Sequence, residues 1–339
     1  MAWKSIDPKA ILMEKIRAKG GWVNAHTHFD RSFIVNWENW GKIGDPLHMK
    51  WDHPDEFKST STVSQIVGHM SRVIDNQLAQ GVQAIGSFVD CDSVVKDKNL
   101  RAVEKLKERY KDAPIQIKLI HQPIKGLMDP TERKWFEEAA SFVDILGGLP
   151  ERDGEMSVSG IDRRDEHLDI LFETAKKYGG KMLHVHVDQL NSPAQRTTEL
   201  LIKKTKQHGY QGKVVAVHSI SVGSQPKGRR QKICKGLAEQ DITVLACPTA
   251  WIDNSWILEQ KKDIIGPIHN AVTPIHEMLP AGVRIAIGTD DIADIYKPFS
   301  DGDMWTELRT LLEATHTYDI DTLAEIATTN GLFALGIKQ

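Results

Sequence analysis

The chain has 339 residues, 40% of them hydrophobic and 26% charged, and 43 Lys and Arg against 46 Asp and Glu give a net charge of −3. That composition is globular and excludes a wholly disordered, collagen-like or membrane-spanning chain. The basic surplus of a nucleic-acid binder is missing. The one basic run, Lys227 to Lys232, lacks interleaved aromatics and reads as a solvated helix start. Three scattered cysteines, Cys91, Cys234 and Cys247, make neither a disulfide framework nor a cysteine-type zinc site, and they fit a reducing compartment. No apolar leader follows Met1 and no run approaches 18 apolar residues. The expectation is a cytoplasmic, unprocessed chain that engages neither membrane nor nucleic acid.

In chain order, short apolar runs alternate with helical patterns. The β-like runs are Trp22–Ala25, Gln83–Val89, Ile115–Ile120, Phe142–Leu146, Lys181–Val185, Lys213–Val217, Ile242–Ala246 and Arg284–Ile287. They lack strict alternation, as strands buried on both faces do. Between them, Thr62–Gln80 carries Val63, Ile66, Val67, Met70, Val73, Ile74 and Leu78 at helical spacing. Asn99–Tyr110, Glu166–Tyr178, Ser192–His208, Arg229–Glu239, Pro274–Leu279 and Asp303–His316 continue the series. Ser192-Pro193 and Thr273-Pro274 read as helix starts, with proline in the first helical position. Eight strand–helix units without a linker, low-complexity tract or close repeat predict one domain over residues 1–339, a (β/α)8 TIM barrel. An open doubly wound sheet finds no support, because no Gly-x-Gly-x-x-Gly follows the first strand.

The histidines carry the functional argument. In a barrel, residues just past the C-terminal strand ends line the active site. Here those places hold His26 and His28 after the first strand, His186 after the fifth, His218 after the sixth and Asp290 after the eighth. Residues two apart on an extended strand point the same way, so His26 and His28 can converge on one ion. A bare His-x-His is weak evidence; four strand ends bearing His or Asp in one mouth are much stronger. His184, deeper on the fifth strand, reads as structural. Imidazoles with a carboxylate suit one divalent ion, zinc first, with iron or manganese as alternatives. Such an ion brings a bound water to a pKa of about 7 and so supplies hydroxide. Asp290 would move the proton, the other reading for it being a buried ion pair.

At these residues the chain resembles the amidohydrolase superfamily, in its cytosine deaminase-like branch. The resemblance runs from Val23 to near Gly336 on the motifs Val23–Asp30, Leu183–Gln189, Val215–Ser219 and Gly288–Ile292. It implies that His26, His28, His186 and Asp290 hold the metal. It also implies that His218 contacts the water or the oxyanion, and that Asp291 faces the substrate. No lysine stands on the fourth strand, Val143–Gly148, where some members place a carbamylated bridging lysine, so a mononuclear site is implied.

Three departures qualify the resemblance. Gln189 stands where such deaminases carry a Glu that protonates the ring, and an amide cannot do that work. Gln122, in His121-Gln122-Pro123-Ile124, is displaced from the expected place of the strand-three Gln, which makes cytosine a doubtful substrate. The flanks are short, about 25 residues before His26 and 49 after Asp290. The accessory β-sandwich of the family is therefore expected to be absent, and Ile320–Leu335 reads as helix. Loss of the Glu favours an amide, lactam or otherwise activated C–N bond, with Glu151 or Asp153 after strand four as a replacement acid.

Other mouth residues have two readings each. Arg31 either clamps a substrate carboxylate or polar ring edge, or pairs with a neighbour such as Asp30. Asp90 and Asp92 after strand two either touch substrate or organise their loop. Trp251 and Tyr296 either stack on a flat ligand or pack in the core. The long first loop, Ser32 to Ser59 with Trp37, Trp40 and Trp51, is either a lid or part of a homo-oligomer interface. The expected activity is metal-dependent hydrolysis of a C–N bond in a small, cyclic nitrogen compound, with Asp290 and His218 catalytic and Asp291, Gln189, Gln122, Arg31, Trp251 and Tyr296 binding substrate. A deaminase of a heterocycle other than cytosine is the nearer alternative, and a ligand-binding barrel without catalysis is the other.

Overall fold

The computed structural model describes residues 5–154, 160–190, 192–250 and 272–338. Its strands are β1 (Trp22–Thr27), β2 (Val82–Asp90), β3 (Gln116–Gln122), β4 (Leu146–Gly148), β5 (Leu183–Val187), β6 (Val214–His218), β7 (Thr243–Ala246) and β8 (Ile285–Ile287). They pair in parallel as a three-stranded sheet, β1-β2-β3, and a five-stranded sheet from β4 to β8. Isolated parallel bridges join Ile120 to Ile145 at one seam and Thr27 to Asp290 at the other. Backbone bonds from Ile145 N to Leu119 O (3.0 Å) and from Asp290 N to His26 O (2.9 Å) accompany them. The helices are α1 (Pro8–Ala18), α2 (Leu47–Lys50), α3 (Asp55–Thr60), α4 (Val63–Ala79), α5 (Lys98–Arg109), α6 (Pro130–Phe142), α7 (Arg164–Lys177), α8 (Thr197–His208), α9 (Lys227–Glu239), α10 (Ile275–Met278), α11 (Met304–Thr315), α12 (Ile320–Ala327) and α13 (Thr329–Ala334). Strand and helix alternate in a TIM-barrel-like α/β fold. Among the described residues no strand lies outside the two sheets, and no helix is long and apolar enough to cross a membrane.

Side-chain alternation divides each strand between two apolar clusters. Ala84, Phe88, Ile120, Val215, Val217, Leu245 and Ala286 belong to an inner cluster. Ile85, Leu119, Val214, Ala216, Val244 and Ile285 pack outward in the larger one. Both strand faces are dry, which is why the runs show no polar alternation. At the foot, α13 turns inward: Leu332, Ala334 and Leu335 join the inner cluster, and His184 Nε2 lies 2.8 Å from the Ala334 carbonyl oxygen. That contact gives His184 the structural place expected of it.

Several elements differ from the pattern read in the sequence. The fourth strand is Leu146–Gly148 rather than Phe142–Leu146. Phe142 is the last residue of α6, and Ile145 makes only a bridge. The apolar criterion passes over Gly147, yet this is where β3 and β4 come closest, so that a Cβ on Gly147 would run into the His121 carbonyl oxygen. Helix α8 starts at Thr197, not beside Pro193, because the Asp188 carboxylate accepts from the amides of Thr197 (2.8 Å) and Thr198 (3.3 Å) and caps the helix from outside. Thr328, at φ −137° and ψ −91°, splits the terminal helix into α12 and α13. By contrast α4 keeps its predicted limits, with Thr62 and Gln65 forming a capping box.

The close approach at Gly147 generates a test. Gly147→Ala must displace backbone at the β3–β4 seam and should cost roughly 3–5 kcal/mol of stability. Urea unfolding followed by circular dichroism would read this as a large fall in midpoint.

Candidate active site

The barrel mouth gathers the predicted strand-end residues. β1 spends three steps, Asn24 to Thr27, where β2 spends two, Ile85 to Ser87. This bulge shifts the phase of β1 and brings His26 into the interior, its ring 4.8 Å from that of Phe88. His28 follows one residue beyond the strand, its ring 5.0 Å from that of His26. From β5 and β6, the rings of His186 and His218 lie 5.0 and 5.5 Å from His26. Asp290 closes the group, with Oδ1 3.0 Å from His26 Nε2 and 3.3 Å from His28 Nε2.

The backbone strains to make this arrangement. His218 (φ 72°), Ser219 (φ 51°) and Asp290 (φ 59°) are left-handed without being glycine. Such conformations cost of order 1–3 kcal/mol each and persist only where the surroundings hold them. Thr273 Oγ1 donates to His218 O at 2.6 Å, and Thr27 Oγ1 donates to Asp290 O at 2.9 Å.

The electrostatics suit a cation. Burial lowers the pKa of His26 and pushes that of His218 down to about 3 and that of His186 well below its usual range, leaving neutral imidazoles. Burial alone would raise Asp290, but the hydrogen bonds of His26 and His28 outweigh it and hold the carboxyl well below the usual range. Buried atoms with no partner include His26 Nδ1, His186 Nδ1, both ring nitrogens of His218 and Asp290 Oδ2. Polar groups left unpaired in a dry site are costly unless something else satisfies them. Among the described residues two overlapping trios, His26–His186–His218 and His26–His28–Asp290, bring their ligand-type atoms within 4.8 Å of one another. This donor set fits a single divalent ion.

A pocket opens above the group, lined among others by His28, His186, His218 and Asp290, and by Gln122, Gln189, Arg31, Asp291 and Tyr296. Gln122 ends β3 and reaches the pocket with its buried Oε1 unpartnered. Arg31 pairs, though not with Asp30; its Nε and Nη2 donate to Asp291 at 3.1 and 2.9 Å, leaving Nη1 without a partner. Arg31 outweighs burial and keeps Asp291 below the usual range. Asp30 instead accepts from Asp90 N and Asn99 Nδ2. Tyr296 is buried beside Arg31, whose guanidinium carbon sits 5.0 Å from the ring centre. Trp251 lies outside the described residues.

The replacement acids separate. Asp153 is committed to structure, accepting from Leu127 N and lying 2.7 Å from His167 Nδ1. Glu151 reaches the strand-five loop. Its Oε1 accepts from Asp188 N at 2.6 Å and its Oε2 from Gln189 Nε2 at 3.1 Å. Burial, reinforced by Asp188, raises its carboxyl to about 7.

The first loop folds into short helices. Leu47 and Trp51 are buried and line the pocket, whereas Trp37 is 88% exposed, with Trp40 beside it and Phe299 against Trp40. What anchors the loop had no signal in the sequence. Lys58, fully buried on α3, sits 2.7 Å from Asp92 and 3.3 Å from Asp90 at the end of β2. Against burial, Lys58 and the amides of Val94 and Val95 hold Asp92 below the usual carboxylate range. Asp90 and Asp92 thus organise the mouth and are absent from the residues lining the pocket. Phe88, packed against His26, His28 and His186, was likewise hidden in an ordinary apolar run.

Residues 154–339, over half of the chain, match the model of the amidohydrolase family. The chain belongs to the amidohydrolase family. Three comparisons illustrate its relations. An uncharacterized protein of Haemophilus influenzae is 42% identical over 80% of this amidohydrolase and 95% of that protein. The N-isopropylammelide isopropyl amidohydrolase of a Pseudomonas species is 25% identical over 96% of this chain and 78% of its own. The crystal structure of 5-methylcytosine deaminase from Klebsiella pneumoniae superposes with a TM-score of 0.80 at 23% identity, covering 93% of this chain and 74% of that one. This amidohydrolase is a hydrolase acting on C–N bonds other than peptide bonds. The alternative of a barrel without catalysis is set aside on that ground.

The Lys58 anchor is testable. Lys58→Met leaves Asp90 and Asp92 buried without their cation and should cost about 3–5 kcal/mol, because breaking a buried pair strands the remaining charge. Urea unfolding would measure it, and protease cleavage within residues 32–61 should accelerate before global unfolding does.

Proposed function

We propose that this amidohydrolase cleaves a C–N bond in a small cyclic nitrogen compound, an amide, a lactam or an amino-heterocycle, using one divalent ion held by His26, His28, His186 and Asp290. Zinc is the first candidate, with iron and manganese next. The observation that carries the reading is the convergence of buried imidazoles and an ionised carboxylate that keep unpartnered atoms, among them His26 Nδ1, His186 Nδ1 and Asp290 Oδ2. The ion's contribution when bound is to acidify water and polarise a substrate oxygen.

The remaining chemistry belongs to the chain. Asp290 takes the proton of the attacking water and returns it to the departing nitrogen, a transfer worth about 10²–10⁴ in rate. Its unpartnered Oδ2 is the place for that proton. His218, neutral and otherwise unbonded through both ring nitrogens, donates to the negative charge growing on the substrate. Gln122, Gln189, Arg31, Asp291, Tyr296 and, from sequence alone, Trp251 orient the ring. The relative named for N-isopropylammelide supports a nitrogen heterocycle. Gln in place of the family Glu favours a carbonyl-bearing substrate over one needing ring protonation. A deaminase of a heterocycle other than cytosine is the second reading, favoured by the Klebsiella fold relationship only at the level of architecture. The unpaired, buried cysteines support a reducing, cytoplasmic setting.

Elemental analysis of the purified full-length protein should find about one equivalent of zinc, iron or manganese per chain. Failure to bind any of them on supply would overturn the mechanism. With metal present, ring opening of a cyclic amide, which frees no separate amine, against release of ammonia from an aminated heterocycle separates the two readings. Asp290→Asn should lose metal and lower kcat by ~10²–10⁴. His218→Asn should keep the ion and lower kcat by ~10²–10³ with little change in KM.

A further inference from the structure

Gln189 is the departure from the family pattern, and it does not stand alone. It lines the pocket, is 3% exposed, and donates one Nε2 hydrogen to Glu151 Oε2. Glu151 lies on the loop after β4 and is itself anchored, since its other oxygen takes the backbone amide of Asp188. An ionised carboxylate can only accept, so the end of the Gln189 amide facing it must be the NH2 group.

We infer that Glu151 is a positioning residue that fixes the polarity of the substrate pocket: by holding the NH2 end of Gln189, it turns the Gln189 amide oxygen towards the ligand and selects substrates that present an N–H at that edge. The inference rests on the heterocycle reading above and sharpens it. Where a Glu in this position could give a proton to a ring nitrogen lone pair, this pair of residues asks the ring to supply the hydrogen. The substrate class is then an oxo-heterocycle or cyclic ureide in its N–H form. An aminated ring with a free lone pair at that edge would leave the Gln189 oxygen unpaired, and a site built for one polarity discriminates strongly against the other.

Replacing the carboxylate by an amide makes a sharp test. In Glu151→Gln the single carbonyl oxygen is claimed by the fixed Asp188 N–H, so the new NH2 group faces Gln189. Gln189 must then turn its oxygen to that NH2 and show its own NH2 to the pocket. The altered protein should prefer ligands of opposite polarity.

Uracil and cytosine are suitable probes, being equal in size, with a hydrogen on N3 in uracil and a lone pair there in cytosine. Calorimetric binding to the zinc-loaded full chain at pH 8, where Glu151 at about 7 is ionised, reads the preference. The unaltered protein should favour uracil, and Glu151→Gln should move the ratio towards cytosine by roughly tenfold or more. A merely structural loss would weaken both ligands together. Gln189→Met, which keeps the shape and removes the polarity, should bring the ratio close to one and serves if Glu151→Gln does not fold. Binding of both probes with an unmoved ratio in the variants overturns this inference alone. Binding of neither probe to the unaltered, zinc-loaded protein overturns the heterocycle reading and the inference with it.

Discussion

Four imidazoles and a carboxylate share one dry space at the barrel mouth, none more than 3% exposed. Packed this closely, they cannot all satisfy one another. Asp290 Oδ1 serves both His26 and His28, while its second oxygen and the rings of His186 and His218 keep unpaired atoms. Such a group makes two demands, a rigid scaffold and a partner for its unpaired atoms. Much of the surrounding structure answers the first demand. The bulge in β1 aims His26, and the left-handed residues at the ends of β6 and β8 aim His218 and Asp290. Phe88 fills the floor against three of the four rings.

Around this centre, charge is held by charge of opposite sign. Arg31 binds Asp291 beside Asp290, and Lys58 neutralises Asp90 and Asp92 at the end of β2. Lys297 reaches Glu307 and the Thr289 carbonyl behind β8, and Glu307 in turn holds Thr249 after β7. The Arg31, Lys58 and Thr249 contacts join segments 260, 32 to 34 and 58 residues apart in sequence. Individually such pairs add little net stability, because desolvation offsets their attraction. Their effect is geometric: they order the loops without requiring an apolar lid, and they leave the centre of the pocket to polar groups.

The sequence was most informative where the physics is local. The strands are short and two-faced, so their apolar runs stand out, and all but the fourth were placed within a few residues. Helix α4 carries its own capping box and was placed correctly at both ends. Glycine-rich β4 was misplaced because its defining property is the absence of side chains at a close approach, which depends on the neighbouring strand. Helix α8 was started too early because its cap comes from Asp188, across a loop.

The same division separates the site's ingredients from its chemistry. Which donors exist, and that they stand at the ends of different strands, followed from residue spacing and the repeating strand–helix pattern, since in a barrel consecutive strand ends meet at one rim. Which way those donors face, whom Arg31 binds and which end of Gln189 meets the ligand were decided only by tertiary structure. The partners are 260 residues away for Arg31 and 38 for Gln189. Hydrogen bonds and ion pairs act over about 3 Å, and distance along the chain says nothing of that proximity until the barrel has folded.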